Sequence, residues 1–155
     1  MKNVSIKTIA RNKKASHDYF VLESFEAGIE LKGTEVKSLR KGSVNLRDSW
    51  CSVTDGEMFV NGMHIGAYEQ GNIFNVDSRR VRKLLMHKRE IDKLYGEVKK
   101  DGISLIPFSV YFKGSIIKLQ ICVCKGKKLY DKRRVMAERS ANRDIERAIK
   151  EKNRY

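Results

Sequence analysis

The chain is poor in the residues that build disulfide, metal or membrane architecture. Cysteine occurs three times in 155 residues, at Cys51, Cys122 and Cys124, with no C-x-x-C pair. That odd, unpaired set fits a reducing compartment. The three histidines, His17, His64 and His87, are scattered, so a zinc site lacks its further ligands. No run of eighteen apolar residues exists to span a membrane, and Met1 to Lys7 holds no apolar stretch of signal-peptide length. The cytoplasm is the expected location, with no metal, cofactor or membrane partner. Enzyme signatures are also missing. There is no G-x-S-x-G, no H-E-x-x-H and no paired Cys–His motif, and Gly126-Lys127-Lys128 lacks the upstream glycine of a Walker loop. The expectation is a binding protein, not an enzyme.

What the chain has in excess is positive charge. Thirty-three Lys and Arg face nineteen Asp and Glu, a net +14. Half of that surplus lies in Lys125–Tyr155, which holds 12 basic and 5 acidic residues and few apolar ones. A basic, weakly hydrophobic extension on a globular body points to a polyanion, and nucleic acid is the large polyanion of the cell. Arg139, Arg143, Arg147 and Lys150 are spaced to form one basic stripe if the segment is helical. Such a helix has little apolar face, so it is expected to be marginal alone and ordered on a partner; the other reading is a solubilising tail. These observations divide the chain into a domain at 1–128 and a basic tail at 129–155.

Residues 1–14 carry five basic and no acidic groups and read as a basic arm. His17 to Phe25 reads as a strand, Glu26-Ala27-Gly28 as a turn or bulge, and 35–41 as a short helix with Thr34 at its N-cap and Gly42 as its stop. Val44 to Val53 looks extended. Asp55-Gly56 marks a tight turn between Trp50–Thr54 and Glu57–Asn61. From Arg79 to Lys99 the apolar residues recur at 3–4 spacing, which predicts one long helix or two consecutive ones with a basic opposite face. Ser104–Phe112 and Ile116–Cys124 form a hairpin around Lys113-Gly114-Ser115, with Pro107 at an edge or bulge. In a strand, Cys122 and Cys124 share one face. About six antiparallel strands with two or three helices predict a mainly β fold: a small closed barrel of the oligonucleotide-binding type with peripheral helices and a basic C-terminal tail.

Within that outline several residues suit RNA. Asn12 both donates to and accepts from a base edge, beside Lys13 and Lys14. Glu26 is either a surface turn residue or an acceptor from guanine or cytosine amino groups, since a carboxylate near RNA otherwise repels phosphate. Leu85 and Met86, next to Lys83, are either core or a platform for an unstacked base. Tyr130, among Lys127, Lys128, Lys132 and Arg133, either stacks on a base or anchors the tail. Stacking of that kind contributes about 1–3 kcal/mol per base.

Ile9 to Tyr19, Phe25 to Ile29, Gly33 to Arg40, Asn45 to Ser49, Arg82 to Leu85 and Gly126 to Arg133 occur in an order that closely resembles the bacterial SsrA-binding protein family (small protein B, SmpB). The resemblance implies an oligonucleotide-binding barrel. It also implies binding to the tRNA-like domain of transfer-messenger RNA, and delivery of that RNA with elongation factor Tu to stalled ribosomes. There trans-translation tags the nascent chain and frees the ribosome. By position Asn12, Glu26 and Leu85 match the family's RNA-contact residues. Gly126 to Arg133, with Tyr130 and Asp131, matches the part that reaches the decoding centre, and the tail beyond would fold along the empty mRNA channel. Ser78, Met86, Trp50 and Ser43 depart from the residues usual in the family. Competing classes are a general single-strand RNA binder or ribosomal structural protein, and an RNA-modifying enzyme.

Overall fold

In the computed structural model, residues 5–68, 75–127 and 129–152 are described; within the last span the side chains described are 136–147 and 149. The elements run β1 (Ile6–Arg11), α1 (Lys13–Asp18), β2 (Tyr19–Ile29), α2 (Gly33–Arg40), β3 (Val44–Asn45), β4 (Trp50–Thr54), β5 (Glu57–Asn61), β6 (His64–Ile65), β7 (Arg82–Leu85), α3 (Lys88–Val98), β8 (Ile103–Lys113), β9 (Ile116–Gly126) and α4 (Leu129–Lys152).

Alternation drives the assembly. In β9, Ile117, Leu119, Ile121 and Val123 point inward and are buried. They meet Leu105 and Val110 of β8, Met58 and Val60 of β5, and Leu84 of β7 in the main core, which Ile91 and Leu94 of α3 complete. Seven strands form one antiparallel sheet in the order β1-β8-β9-β2-β7-β5-β4, and β3 pairs with β6 in a separate ladder. The tight turn is as expected: Asp55 and Gly56 both take positive φ, 51° and 73°, which the primed hairpin turn requires. Pro107 sits at a register shift in β8, where a missing N–H costs no ladder bond. Cys122 and Cys124 do share one face. They lie on the sheet's outer side beneath Ala15 of α1, with Ile106, Tyr19 and Phe108. Burial raises their thiols to about 11 and 12, so neither supplies a thiolate at neutral pH.

The structure corrects several expectations. The sheet curls until Cα atoms of β4 come within 8 Å of β8, yet no hydrogen-bonded ladder joins them among the described residues, so the oligonucleotide-binding-like barrel is open and not closed. Residues 1–4 of the basic arm lie outside the described residues; the described part is largely strand β1, paired with β8, followed by the start of helix α1. Glu26, Ala27 and Gly28 are not a turn but three consecutive rungs of β2 against β9. The bulge falls earlier, between Val21 and Glu23. Thr34 lies inside α2; Lys32 precedes the helix, and its backbone N–H donates to the Glu35 carboxylate at 2.8 Å. Nor does the helix expected at 79–99 begin at Arg79. Its first part is strand β7, in which Arg82 and Leu84 point inward while Lys83 and Leu85 point outward.

The reason for that last difference is a buried arginine. Arg82 is fully buried: its Nε donates to Glu35 at 2.6 Å, its Nη1 to the Met63 carbonyl at 2.7 Å and its Nη2 to the Ser78 carbonyl at 3.1 Å. Arg80 adds a second guanidinium, 2.5 Å from the same carboxylate. Read as surface charge, Arg82 conceals the two-residue period of the strand.

Candidate nucleic-acid interface

The outward side of the sheet carries a polar band. Cross-strand pairing aligns Thr8, Tyr111, Lys118, Gly28 and Leu85 in one row over β1, β8, β9, β2 and β7. The next row holds Ser109, Gln120 and Glu26. Ser109 donates its hydroxyl proton to Gln120 Oε1 at 2.9 Å. Glu26 accepts from the Tyr111 hydroxyl at 2.5 Å and from Lys113 Nζ at 3.0 Å. The Tyr111 hydrogen bond, foremost, outweighs burial and with Lys113 holds the Glu26 carboxyl below its ordinary range, so it is ionised at neutral pH. Burial and that same carboxylate push the Tyr111 hydroxyl upward. A shallow groove of about 430 Å³ opens over these groups.

Leu85 is half exposed on this side and lies over Gly28, whose missing side chain makes room for it: a Cβ there would stand 3.2 Å from Leu85 Cβ. Lys83 points the same way and pairs with Glu57 at 3.0 Å. The sheet therefore brings Glu26, Lys83 and Leu85 onto one face.

A second cluster lies at the other end of β2, seven residues from Glu26, or roughly 20 Å along the strand. There Lys13 and Lys14 are exposed on α1, and Lys14 pairs with Asp48 at 2.8 Å. Lys127 sits 4.9 Å from the centre of the Phe20 ring, with its Nζ reaching the Ser16 carbonyl at 3.4 Å. A groove of about 540 Å³ runs past Lys13 and Lys14, lined also by Arg11, His17, Asn45 and Arg47.

The side chain of Asn12, expected at a base edge, is engaged within the fold. It is buried: its side-chain Nδ2 donates to the Leu46 and Pro107 carbonyls, each at 3.1 Å, and its Oδ1 caps α1 by accepting from Ala15 N–H at 3.1 Å. It is a positioning residue that ties α1 to the loop before β4.

Beyond the sheet, α4 runs from Leu129 to Lys152, and each of its described side chains is exposed, Arg139, Arg143 and Arg147 among them. Lys128 lies outside the described residues, as do the side chains of Tyr130, Asp131, Lys132, Arg133 and Lys150. Among the described residues no group of His, Cys, Asp or Glu could hold a metal ion, and no helix is long and apolar enough to cross a membrane.

The comparisons with known proteins agree with one another. The family "SmpB protein" matches over residues 9–151. The chain belongs to the SmpB protein family. An SsrA-binding protein of Clostridium perfringens (strain 13 / Type A) is 56% identical over 149 residues, covering 96% of each chain. One of Clostridium tetani (strain Massachusetts / E88) is 54% identical over 155 residues, covering 100% of this chain and 99% of its own. A solved chain from "tmRNA-SmpB: a journey to the center of the bacterial ribosome" superposes with a TM-score of 0.63 at 42% identity, over 85% of this chain and 93% of that one. The family match takes in every candidate residue from Asn12 to Lys150.

The candidates missed from sequence are the neighbours rather than the centres. Arg11, His17 and Arg47 join Lys13 and Lys14 only because α1 and the β3–β4 loop meet. Tyr111, Lys113 and Gln120 reach Glu26 only through strand register. The alternation of Lys118 and Gln120 with buried apolar residues in β9 was the available signal for the last of these.

Proposed function

We propose that this chain binds the tRNA-like domain of transfer-messenger RNA (SsrA RNA) and delivers it to stalled ribosomes for trans-translation, nascent-chain tagging and ribosome rescue. The observation that carries the reading is the convergence of Glu26, Lys83 and Leu85 on one open sheet face in a member of this family. Lys83 supplies positive charge, Leu85 offers an apolar surface to an unstacked base, and the ionised Glu26 tolerates only a donor-bearing partner. Lys13, Lys14 and Lys127 at the far end of β2 extend the contact along the phosphate backbone. The protein acts in the cytoplasm by binding, without catalysis, and elongation factor Tu accompanies the complex.

The body (1–128) and the tail (129–155) divide the labour. Tyr130, Asp131, Lys132 and Arg133 address the decoding centre. Arg139, Arg143, Arg147 and Lys150 line an mRNA channel walled by phosphate, and the tail gains its order there. The test is a chain lacking residues 130–155. It should bind the tRNA-like RNA with affinity within about twofold of the full chain and yet fail to support tagging on stalled ribosomes. Loss of RNA affinity on truncation would refute the division. Equal affinity of the full chain for unstructured RNA would point instead to a general single-strand binder.

A further inference from the structure

We infer that the groove over β8, β9 and β2 is a reader of one unstacked guanine, with Glu26 and Gln120 as the specificity-determining pair; the inference rests on the RNA-binding reading above. The argument begins from an oddity. On a chain of net charge +14, the centre of the outer sheet face is a carboxylate. It is fixed on two sides: Tyr111 donates to Oε2 at 2.5 Å and Lys113 to Oε1 at 3.0 Å. A carboxylate oxygen has about two acceptor sites, so each keeps one for a ligand. A phosphate is repelled there, whereas adjacent N–H donors are attracted.

Gln120 supplies the complementary group. It lies directly across from Glu26 in the β2–β9 register. The Ser109 hydroxyl occupies its Oε1 at 2.9 Å, which fixes the amide orientation. Its Nε2 donates to no described residue, so two N–H bonds face the groove beside the carboxylate. Directly opposed residues have Cβ atoms about 4.5–5.5 Å apart, which suits the span of one Watson–Crick edge. Guanine alone among the bases carries two neighbouring donors, N1–H and N2–H, followed by an acceptor, O6. The donors meet the two oxygens of Glu26, and O6 meets the Gln120 amide. Adenine and cytosine offer a single donor group to the carboxylate, and uracil turns two carbonyls towards this side. Because the base must present its pairing edge, it must be unpaired, as in a loop.

The test is a double-mutant cycle on the full chain. Each unpaired guanine of the tRNA-like domain is replaced singly by inosine, which lacks the N2 amino group, and affinity is measured for the wild-type chain, Glu26→Gln and Gln120→Ala. One inosine substitution should weaken binding to the wild-type chain by about tenfold, the usual cost of a lost bidentate base contact. The same substitution should have little effect on Glu26→Gln, while Gln120→Ala should lose affinity but keep its sensitivity to inosine. Thermal midpoints of both variants should stay close to that of the wild type, since Glu26 is exposed and Gln120 half-buried on the outer face, neither in the core. If Glu26→Gln weakens binding but no inosine position is coupled to it, the guanine assignment falls and the RNA face stands. If neither variant changes the affinity, the RNA face itself is misplaced.

Discussion

At the scale of single residues, the most consequential interaction is the one that serves folding alone. Glu35 accepts from Arg80 and Arg82, and both its carboxylate and the Arg82 guanidinium are almost completely buried. Burial raises the Glu35 carboxyl, but hydrogen bonds from Arg80, the Lys32 backbone and Arg82 outweigh it, leaving it below the ordinary 4.5. Removing one partner of such a group strands the other, so Glu35→Gln should cost roughly 3–5 kcal/mol. The pH dependence follows from the direction of the shift. A depressed carboxyl contributes stability above its unfolded value, and the contribution is lost as pH falls through the folded value. The stability gap between the wild type and Glu35→Gln, measured by denaturant unfolding, should therefore be widest near neutrality and close below pH 4.5. A gap unchanged in acid would show that Glu35 acts through packing rather than charge. Gly28 gives a prediction of the opposite kind. Gly28→Ala places a Cβ 3.2 Å from Leu85 Cβ, an atom that moves only with its backbone, so β7 must give by a few tenths of an ångström at this rung. Stability should change by less than about 1 kcal/mol, within the range of ordinary strand substitutions. RNA affinity should fall if Leu85 carries a base.

At the scale of elements, what could be read beforehand depended on whether charge sat at the surface. The β8–β9 hairpin and the β4–β5 turn were legible because apolar residues alternate there with solvent-facing ones. Strand β7 was hidden, since Arg82 occupies a core position and the helical spacing of Val81, Leu84 and Leu85 stood unopposed. Strand β1 was hidden differently: Lys7 and Arg11 are exposed and suggested a basic arm, where the backbone pairs with β8. Glu26 was legible as a candidate, but its clamp by Tyr111 and Lys113 depends on a register across two ladders that no local pattern records. Asn12 was legible by its polarity as a polar candidate, but its role as the cap of α1 was not, since that depends on the turn into the helix. In α4 the arginine stripe was legible and its backbone is helical, with Arg139, Arg143 and Arg147 exposed. Replacing these three by Ala keeps helix propensity and removes only charge. We expect tRNA-like RNA binding to be unaffected and tagging on stalled ribosomes to fall by at least tenfold. A variant with normal tagging would remove the stripe from the channel.

At the scale of the whole molecule, the question is whether +14 is one electrostatic surface or two. Half of it lies in Lys125–Tyr155, while the sheet face and the α1 groove use cations placed by strands and a capped helix. Salt dependence separates the alternatives, because each phosphate neutralised on duplex-like RNA contributes about −0.9 to the slope of log affinity against log salt. If Lys13, Lys14, Lys83 and Lys127 each meet one phosphate, the slope for the tRNA-like domain should be about −3.6. A chain ending at Leu129 retains all four, so its slope should match that of the full chain within about one unit. The existing pairs, Lys14 with Asp48 and Lys83 with Glu57, are exposed and weak, so they yield to phosphate without altering that count. On the stalled ribosome the full chain should show a much steeper dependence than the truncated one, since there the tail's own cations are engaged. A slope on free RNA that flattens in step with the tail's removal would mean a single continuous cationic surface, with the tail lying on the same RNA as the sheet.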